Sequence, residues 1–236
     1  MKNTIVVNLF GGQGTGKSTI MAGIFSKLKF MGYDCEMCPE FAKELVWENR
    51  METFSDELYL FAKQNHRLFR LNGKVDVVIT DRPLYMSIPY YRYYKGENET
   101  YEKLVKETFD SYNNFNIFLI RKKPFNPNGR NETEEQSREF DKMFKQYLDK
   151  DGYEYVTIDG VEESIEKICG MIVKLVDDQK KDNLIPVLVD TFSYDEAFGT
   201  YQRVRCNDYT KNYEPMRLTP QQIKEFIDKG INLKFE

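Results

Sequence analysis

Eight residues near the N-terminus constrain this chain more than anything else in it: Gly11-Gly12-Gln13-Gly14-Thr15-Gly16-Lys17-Ser18. They satisfy Gly-x-x-x-x-Gly-Lys-Ser/Thr in full. An apolar run at 4–10 precedes them and an amphipathic stretch at 17–30 follows, which is the strand–loop–helix context the pattern requires. Such glycines let a backbone wrap a phosphate, with N–H groups and the helix N-terminus aimed at it. Gly11, Gly12, Gln13, Gly14, Thr15, Gly16, Lys17, Ser18 and Thr19 are therefore the expected nucleotide-binding residues. Lys17 would reach the β- and γ-phosphates of ATP, and Ser18 would hold Mg²⁺. No Asn-Lys-x-Asp guanine-reading motif is present, which argues against a GTPase.

A strand leading into such a loop sets the expectation for the rest, and the rest agrees. Short apolar runs at 34–37, 75–80, 115–120 and 153–158 alternate with helical patterns at 40–50, 54–71, 98–112, 132–149 and 161–178. This alternation predicts an α/β domain with a doubly wound, mostly parallel five-stranded sheet. The polar run 177–182 marks a boundary, giving a domain at 1–181 and a small α+β extension at 182–236. That extension shows strand-like runs at 185–189 and 201–205 and one helix after Thr219-Pro220. A formal charge of −4 argues against general nucleic-acid affinity. No apolar run approaches the ~18 residues of a membrane span. The four cysteines suit reduced thiols and a cytoplasmic location. Cys35-x-x-Cys38 has no second pair to complete a zinc site, and His66 has no evident catalytic partners.

Ligands of open α/β sheets gather at the carboxyl ends of the strands. Asp81-Arg82 ends the 75–80 strand. Asp81 could join the Mg²⁺ shell and Arg82 could pair with a transferring phosphate, while Asp81 before Pro83 is also a sound helix cap. Glu40, just past the second strand, could take a proton from an acceptor hydroxyl or could simply complement a helix dipole. Phe41, Trp47, Gln64 and Tyr85 could line a pocket for a flat base, although aromatic residues at these spacings are more often core. Residues 121–130 carry Arg121, Lys122, Lys123 and Arg130 with no acid, which reads as a basic lid over phosphates or as a solvated loop. Arg138, two turns into the next helix, could join the lid.

With these residues in place, 1–180 resembles the P-loop nucleoside and nucleotide kinases. It is most similar to the nicotinamide riboside kinase domain of bacterial NAD-biosynthesis regulators and the related AAA-type kinase-like proteins common in bacteriophages. The resemblance rests on GGQGTGKST, PEFAKELVWENR, FAKQNHRLFRLNGKVDVVITDRP, NPNGRNETEEQSREFDKMFKQYL and YEYVTIDG, in that order and spacing. It implies a phosphate loop at 11–19, a metal-site acid at Asp81 and a lid arginine at Arg130. Deoxynucleoside kinases are more distantly similar; their acid, tryptophan and glutamine fall on Glu40, Trp47 and Gln64. The Asp-Arg pair resembles their acid-Arg-Ser motif and that of thymidylate kinases. Residues 184–236 resemble none of these.

The resulting expectation is an ATP- and Mg²⁺-dependent kinase acting on nicotinamide riboside, a deoxynucleoside or a nucleoside monophosphate. Lys17, Glu40, Asp81, Arg82 and Arg130 would carry the chemistry, and Arg121 would help hold the nucleotide. Two alternatives stand beside it: a nucleotide-dependent switch whose C-terminal segment contacts a partner, and a kinase acting on a modified base in DNA. Oligomeric state stays open.

Overall fold

A computed structural model describes residues 2–128, 130, 132–182, 185–189, 192–195, 200–203, 216–218, 220–228 and 233–235. The chain divides into two compact units, Met1–Val173 and Lys174–Glu236. The first is built on five parallel strands in the order β2-β3-β1-β4-β5: β1 Ile5–Phe10, β2 Cys35–Cys38, β3 Val77–Thr80, β4 Asn113–Ile120 and β5 Val156–Asp159. β1 lies between β3 and β4 and is buried along its whole length, which explains why it is apolar except at Asn8 rather than alternating; Asn8 is buried and its amide donates to Asn114 and Asn116.

Alternate residues of the strands face opposite layers. Val6, Phe10, Val78 and Phe118 join a core with α3 (Glu57–Phe69), α4 (Ser87–Lys95), α5 (Glu99–Asp110) and α6 (Glu134–Asp151). On the other face α1 (Lys17–Phe30) and α7 (Ser164–Asp182) approach closely. A Cβ on Gly23 would come within 2.4 Å of the Ile165 side chain, so glycine is what lets these two helices meet.

One departure from the sequence reading matters for the site. The helix expected at 40–50 shrinks to α2, Ala42–Trp47, because Asn49 takes a positive φ of 55° and a 3-10 turn, Met51–Ser55, follows. Asp56 then starts α3 by accepting from the Tyr59 N–H. Residues 84–94, rich in tyrosine, form a 3-10 turn, Leu84–Met86, running into α4; Tyr85 and Tyr90 are buried there, while Tyr93 and Tyr94 are exposed.

The second unit contains an antiparallel sheet ordered β10-β6-β9 and a β7–β8 hairpin, formed by β6 Ile185–Val189, β7 Phe192–Asp195, β8 Thr200–Arg203, β9 Met216–Leu218 and β10 Leu233–Phe235, together with α8 Pro220–Asp228. Of the strand expected at 201–205, the last two residues lie outside the described ones, as does Cys206. Cys35, Cys38 and Cys169 are buried free thiols. Among the described residues no helix is long and apolar enough to cross a membrane.

Candidate active site

The carboxyl ends of β1, β2 and β3 open onto a cavity of about 210 Å³. Its floor is the loop between β1 and α1. Gly14 turns there at φ 85°, and a Cβ on it would meet the Arg130 and Arg121 guanidinium nitrogens at 2.4 and 2.7 Å. Lys17 donates from Nζ to the carbonyls of Gly11 at 2.6 Å and Gly12 at 2.8 Å, and burial pulls its ammonium below the ordinary lysine range. Thr15 is buried and donates its hydroxyl to Gly12 O at 3.0 Å. Gln13, Gly14, Gly16, Lys17, Ser18 and Thr19 line the cavity. Gly11 and Gly12 sit beneath it as framework.

Ser18 and Asp81 meet at the cavity's edge. The Ser18 hydroxyl donates to Asp81 Oδ2 at 2.6 Å, and the other carboxylate oxygen accepts the Glu40 N–H at 2.8 Å. Asp81 thus fixes the end of β2 to the end of β3 while presenting, with Ser18, two adjacent hard oxygen donors. That pair suits Mg²⁺, which takes one or two protein oxygens and fills its octahedron with water and phosphate oxygens.

Beyond the loop the cavity wall changes character. Glu40, half-buried, stands 3.6 Å from Arg82, whose guanidinium lies 4.1 Å from the centre of the Tyr90 ring. Burial raises the Glu40 carboxyl above the usual carboxylate range, and Arg82 only partly offsets it. Glu57 and Glu132, both buried, also line the wall, and burial raises both carboxyls. Glu132 accepts from the Tyr90 hydroxyl through Oε1 at 2.9 Å, while its Oε2 is buried without a hydrogen-bond partner. Arg130, which lies over the Phe125 ring, likewise has a buried Nη1 with no partner; burial, then the neighbouring Arg121, lowers its pKa. Buried polar atoms are almost always satisfied. Arg121 Nε, beside the loop, is a further buried atom without a partner; of these residues Arg130 and Glu132 line the cavity, and there they offer a donor and an acceptor to a polar ligand.

Several residues proposed from the sequence lie elsewhere. Trp47 is 67% exposed and does not line the cavity, because the helix that carries it ends there. Tyr85 is 1% exposed, with its ring packed on Phe109 and Tyr153 and its hydroxyl bonded to Asp151, so a substrate-lining role gives way to a core one. Arg138 points outward and pairs with Glu134 on its own helix at 2.7 Å. Gln64 is buried, but its amide oxygen takes the Phe41 N–H at 3.0 Å and its nitrogen faces Pro39 O and Thr80 Oγ1, both at 3.4 Å. It braces the segment that carries Glu40 and Phe41, beside a minor crevice that Phe41 also lines. Arg121 is bonded to Gln13 O, Ser137 and Asp141. Sequence reasoning missed Glu57, Glu132, Ser137 and Asp141. Only the Ser137/Asp141 spacing, four apart on one helix face, held any signal.

A family model described as an AAA domain matches residues 6–164. No curated protein matches the chain. Similar solved structures include two of NadR proteins. A NadR protein in complex with NR has a TM-score of 0.57 and 17% identity over 70% of this chain and 51% of that one. A NadR protein in complex with NAD and AMP-PNP has a TM-score of 0.57 and 18% identity over 72% and 50%. The chain therefore spans about half the length of those structures, and at this identity the likeness concerns the fold.

Proposed function

The chain belongs to the AAA domain family, P-loop proteins of the NTPase type, and from that premise we propose that it transfers the γ-phosphoryl group of ATP to a nucleoside-like small molecule. The observation that carries this reading is one cavity joining Lys17 and Ser18 of the loop to Glu40 and Arg82 on the far wall. A plain ATPase or a switch needs only the first pair.

In this reading the loop holds the β- and γ-phosphates on its N–H groups and Lys17. When bound, Mg²⁺ would supply charge neutralisation to those phosphates, held by Ser18 and Asp81. Glu40 takes the proton of the acceptor hydroxyl. Its raised pKa brings it nearer to neutral pH, where a general base works best. Arg82 keeps Glu40 in place and faces the acceptor. Arg130 gains, in the phosphoryl oxygens, the partner its Nη1 lacks, so its contact matters most as charge spreads in the transition state. Nicotinamide riboside, deoxynucleosides and nucleoside monophosphates are the candidate acceptors, the first favoured by the NadR neighbour in complex with NR.

The test is transfer of labelled phosphate from ATP to a panel of these compounds. A kinase shows one acceptor that raises ATP turnover steeply. Turnover indifferent to every acceptor would leave a nucleotide-dependent switch as the better reading.

A further inference from the structure

An anion beside a loop built for phosphates is electrostatically unfavourable unless it has a task there, and Asp141 is such an anion. It lies on α6, far along the chain from the loop, with its side chain 22% exposed and paired at 2.9 Å with an Arg121 guanidinium only 5% exposed. Its Oδ1 accepts the N–H of Gly12, the second residue of the loop. Ser137, four residues earlier and hence on the same helix face, donates its hydroxyl to Gln13 O at 2.6 Å. Arg121 closes the group: Nη1 donates to the same Gln13 carbonyl at 2.6 Å, and Nη2 donates to Ser137 Oγ at 2.7 Å. The helix comes as near as backbones allow, since a Cβ on Gly12 would stand 2.3 Å from Ser137 O.

From these contacts we infer that Asp141 is a positioning residue, which locks the Gly12–Gln13 half of the loop to α6. Lys17 holds the Gly11 and Gly12 carbonyls from the other side. The Gly11, Gly12 and Gln13 carbonyls and the Gly12 N–H are thus held by protein, and the loop's second half meets the nucleotide already arranged. Asp141 also answers the charge of Arg121, which turns that arginine from a phosphate ligand into a strut. Because α6 begins just past the lid, the same contacts tie lid and loop into one body.

The inference rests on the nucleotide-binding reading, and two substitutions separate the failure of each. Asp141→Ala removes both the acceptor for Gly12 and the partner of Arg121. Asp141→Asn keeps an oxygen for Gly12 and removes only the charge. In the full chain, melting temperature reports the charge and calorimetric titration with ATP reports the loop. Both variants are expected to melt lower than the unaltered protein by similar amounts. Asp141→Ala is expected to bind ATP at least tenfold more weakly, and Asp141→Asn to recover most of that loss. Equal affinities for the two variants, or an Asp141→Ala affinity within twofold of the unaltered chain, would overturn the inference while leaving nucleotide binding intact. No ATP binding by the unaltered chain would overturn both. Should Asp141→Ala fail to fold, Ser137→Ala removes a bond to Gln13 without touching charge. A tenfold loss of affinity there supports the positioning role, and unchanged affinity refutes it.

Discussion

Replacing Glu40 with Gln keeps the side chain's size and one hydrogen-bond acceptor, and takes away its basicity. Two losses then combine. General-base assistance is worth about 10²–10⁴-fold, and Arg82, 12% exposed, loses the carboxylate 3.6 Å away that helps hold it against Tyr90. Together these place the expected fall in kcat near the middle of that range, about 10³-fold, or about 4 kcal/mol on the barrier. ATP affinity should change far less than kcat, because Glu40's side chain has no hydrogen bond or ion pair to the loop among the described residues and acts on Lys17 only through its charge. The pH profile gives the sharper readout. A base must be unprotonated to act, and burial sets the Glu40 carboxyl above the ordinary glutamate value. In the unaltered enzyme kcat/KM should therefore climb with pH along a limb displaced upward from that of a free glutamate, then level off. In Glu40→Gln the limb should vanish, leaving a low, flat rate. Steady-state assays with a nucleoside acceptor between pH 5 and 9 decide the matter. A loss under tenfold, or an acid limb that survives the substitution, would refute the base assignment. A nucleoside monophosphate acceptor is already ionised and needs no base, so with one the substitution should act on acceptor KM instead.

The other predictions concern the loop, the lid wall and the boundary. Lys17→Ala should abolish transfer in a chain that still folds, as circular dichroism and a labelled-phosphate assay would show; near-normal turnover would remove the loop from the chemistry. Arg130→Ala should lower kcat more than it raises the KM for ATP, since in the proposed reading the transferring phosphoryl group supplies the partner its Nη1 lacks; a change confined to ATP binding would make it a ground-state contact only. Glu132→Gln should raise the melting temperature at pH 8 and change it much less at pH 4. A carboxyl whose folded pKa is raised contributes stability below the unfolded value near 4.3, and that contribution is lost as pH climbs through the folded value. Equal shifts at both pH values would contradict this. Finally, a chain ending at Asp182, which keeps all of α7, should fold and bind ATP, because Met1–Val173 forms a compact unit by itself; an insoluble or molten product would place the second unit within the domain's own core.

The elements most legible in the sequence were those whose signal is local. The loop motif set β1 and α1, and α1 begins and ends where the pattern placed it, at Lys17 and Phe30. The inner strands were legible because sheets covered on both faces write themselves as largely apolar runs, interrupted here by buried or half-buried asparagines. Segments without periodicity were not legible. β7, β9 and β10 are three or four residues long and carry no pattern that separates strand from turn. The tyrosines of 85–94 show a different limit. Tyr90 faces the cavity and Tyr85 the core, and composition cannot say which way a ring points before the helix that carries it is placed.

The site divides along the same line. Residues next to strand ends in sequence, Glu40, Asp81 and Arg82, could be found because the end of a parallel strand is a known location. Glu57, Glu132 and Asp141 could not, because only the fold brings α3, the residues just before α6 and α6 itself to the loop. Their chemistry explains why they are worth finding. A folded chain gains nothing in stability from three carboxyls raised by burial around one cavity, or from an arginine nitrogen left without a partner beside them. Asp141 shows a different use of buried charge: it pairs with Arg121, whose Nη1 and Nη2 bond Gln13 O, Ser137 and Asp141 while its Nε is left without a hydrogen-bond partner. Arg130 and Glu132 are left incomplete in the same neighbourhood, within reach of the same helix. Arg121 has a carboxylate partner, and among the described residues no ion pair is seen for Arg130; that difference supports the proposal that the partners of Arg130 and Glu132 arrive with the ligand.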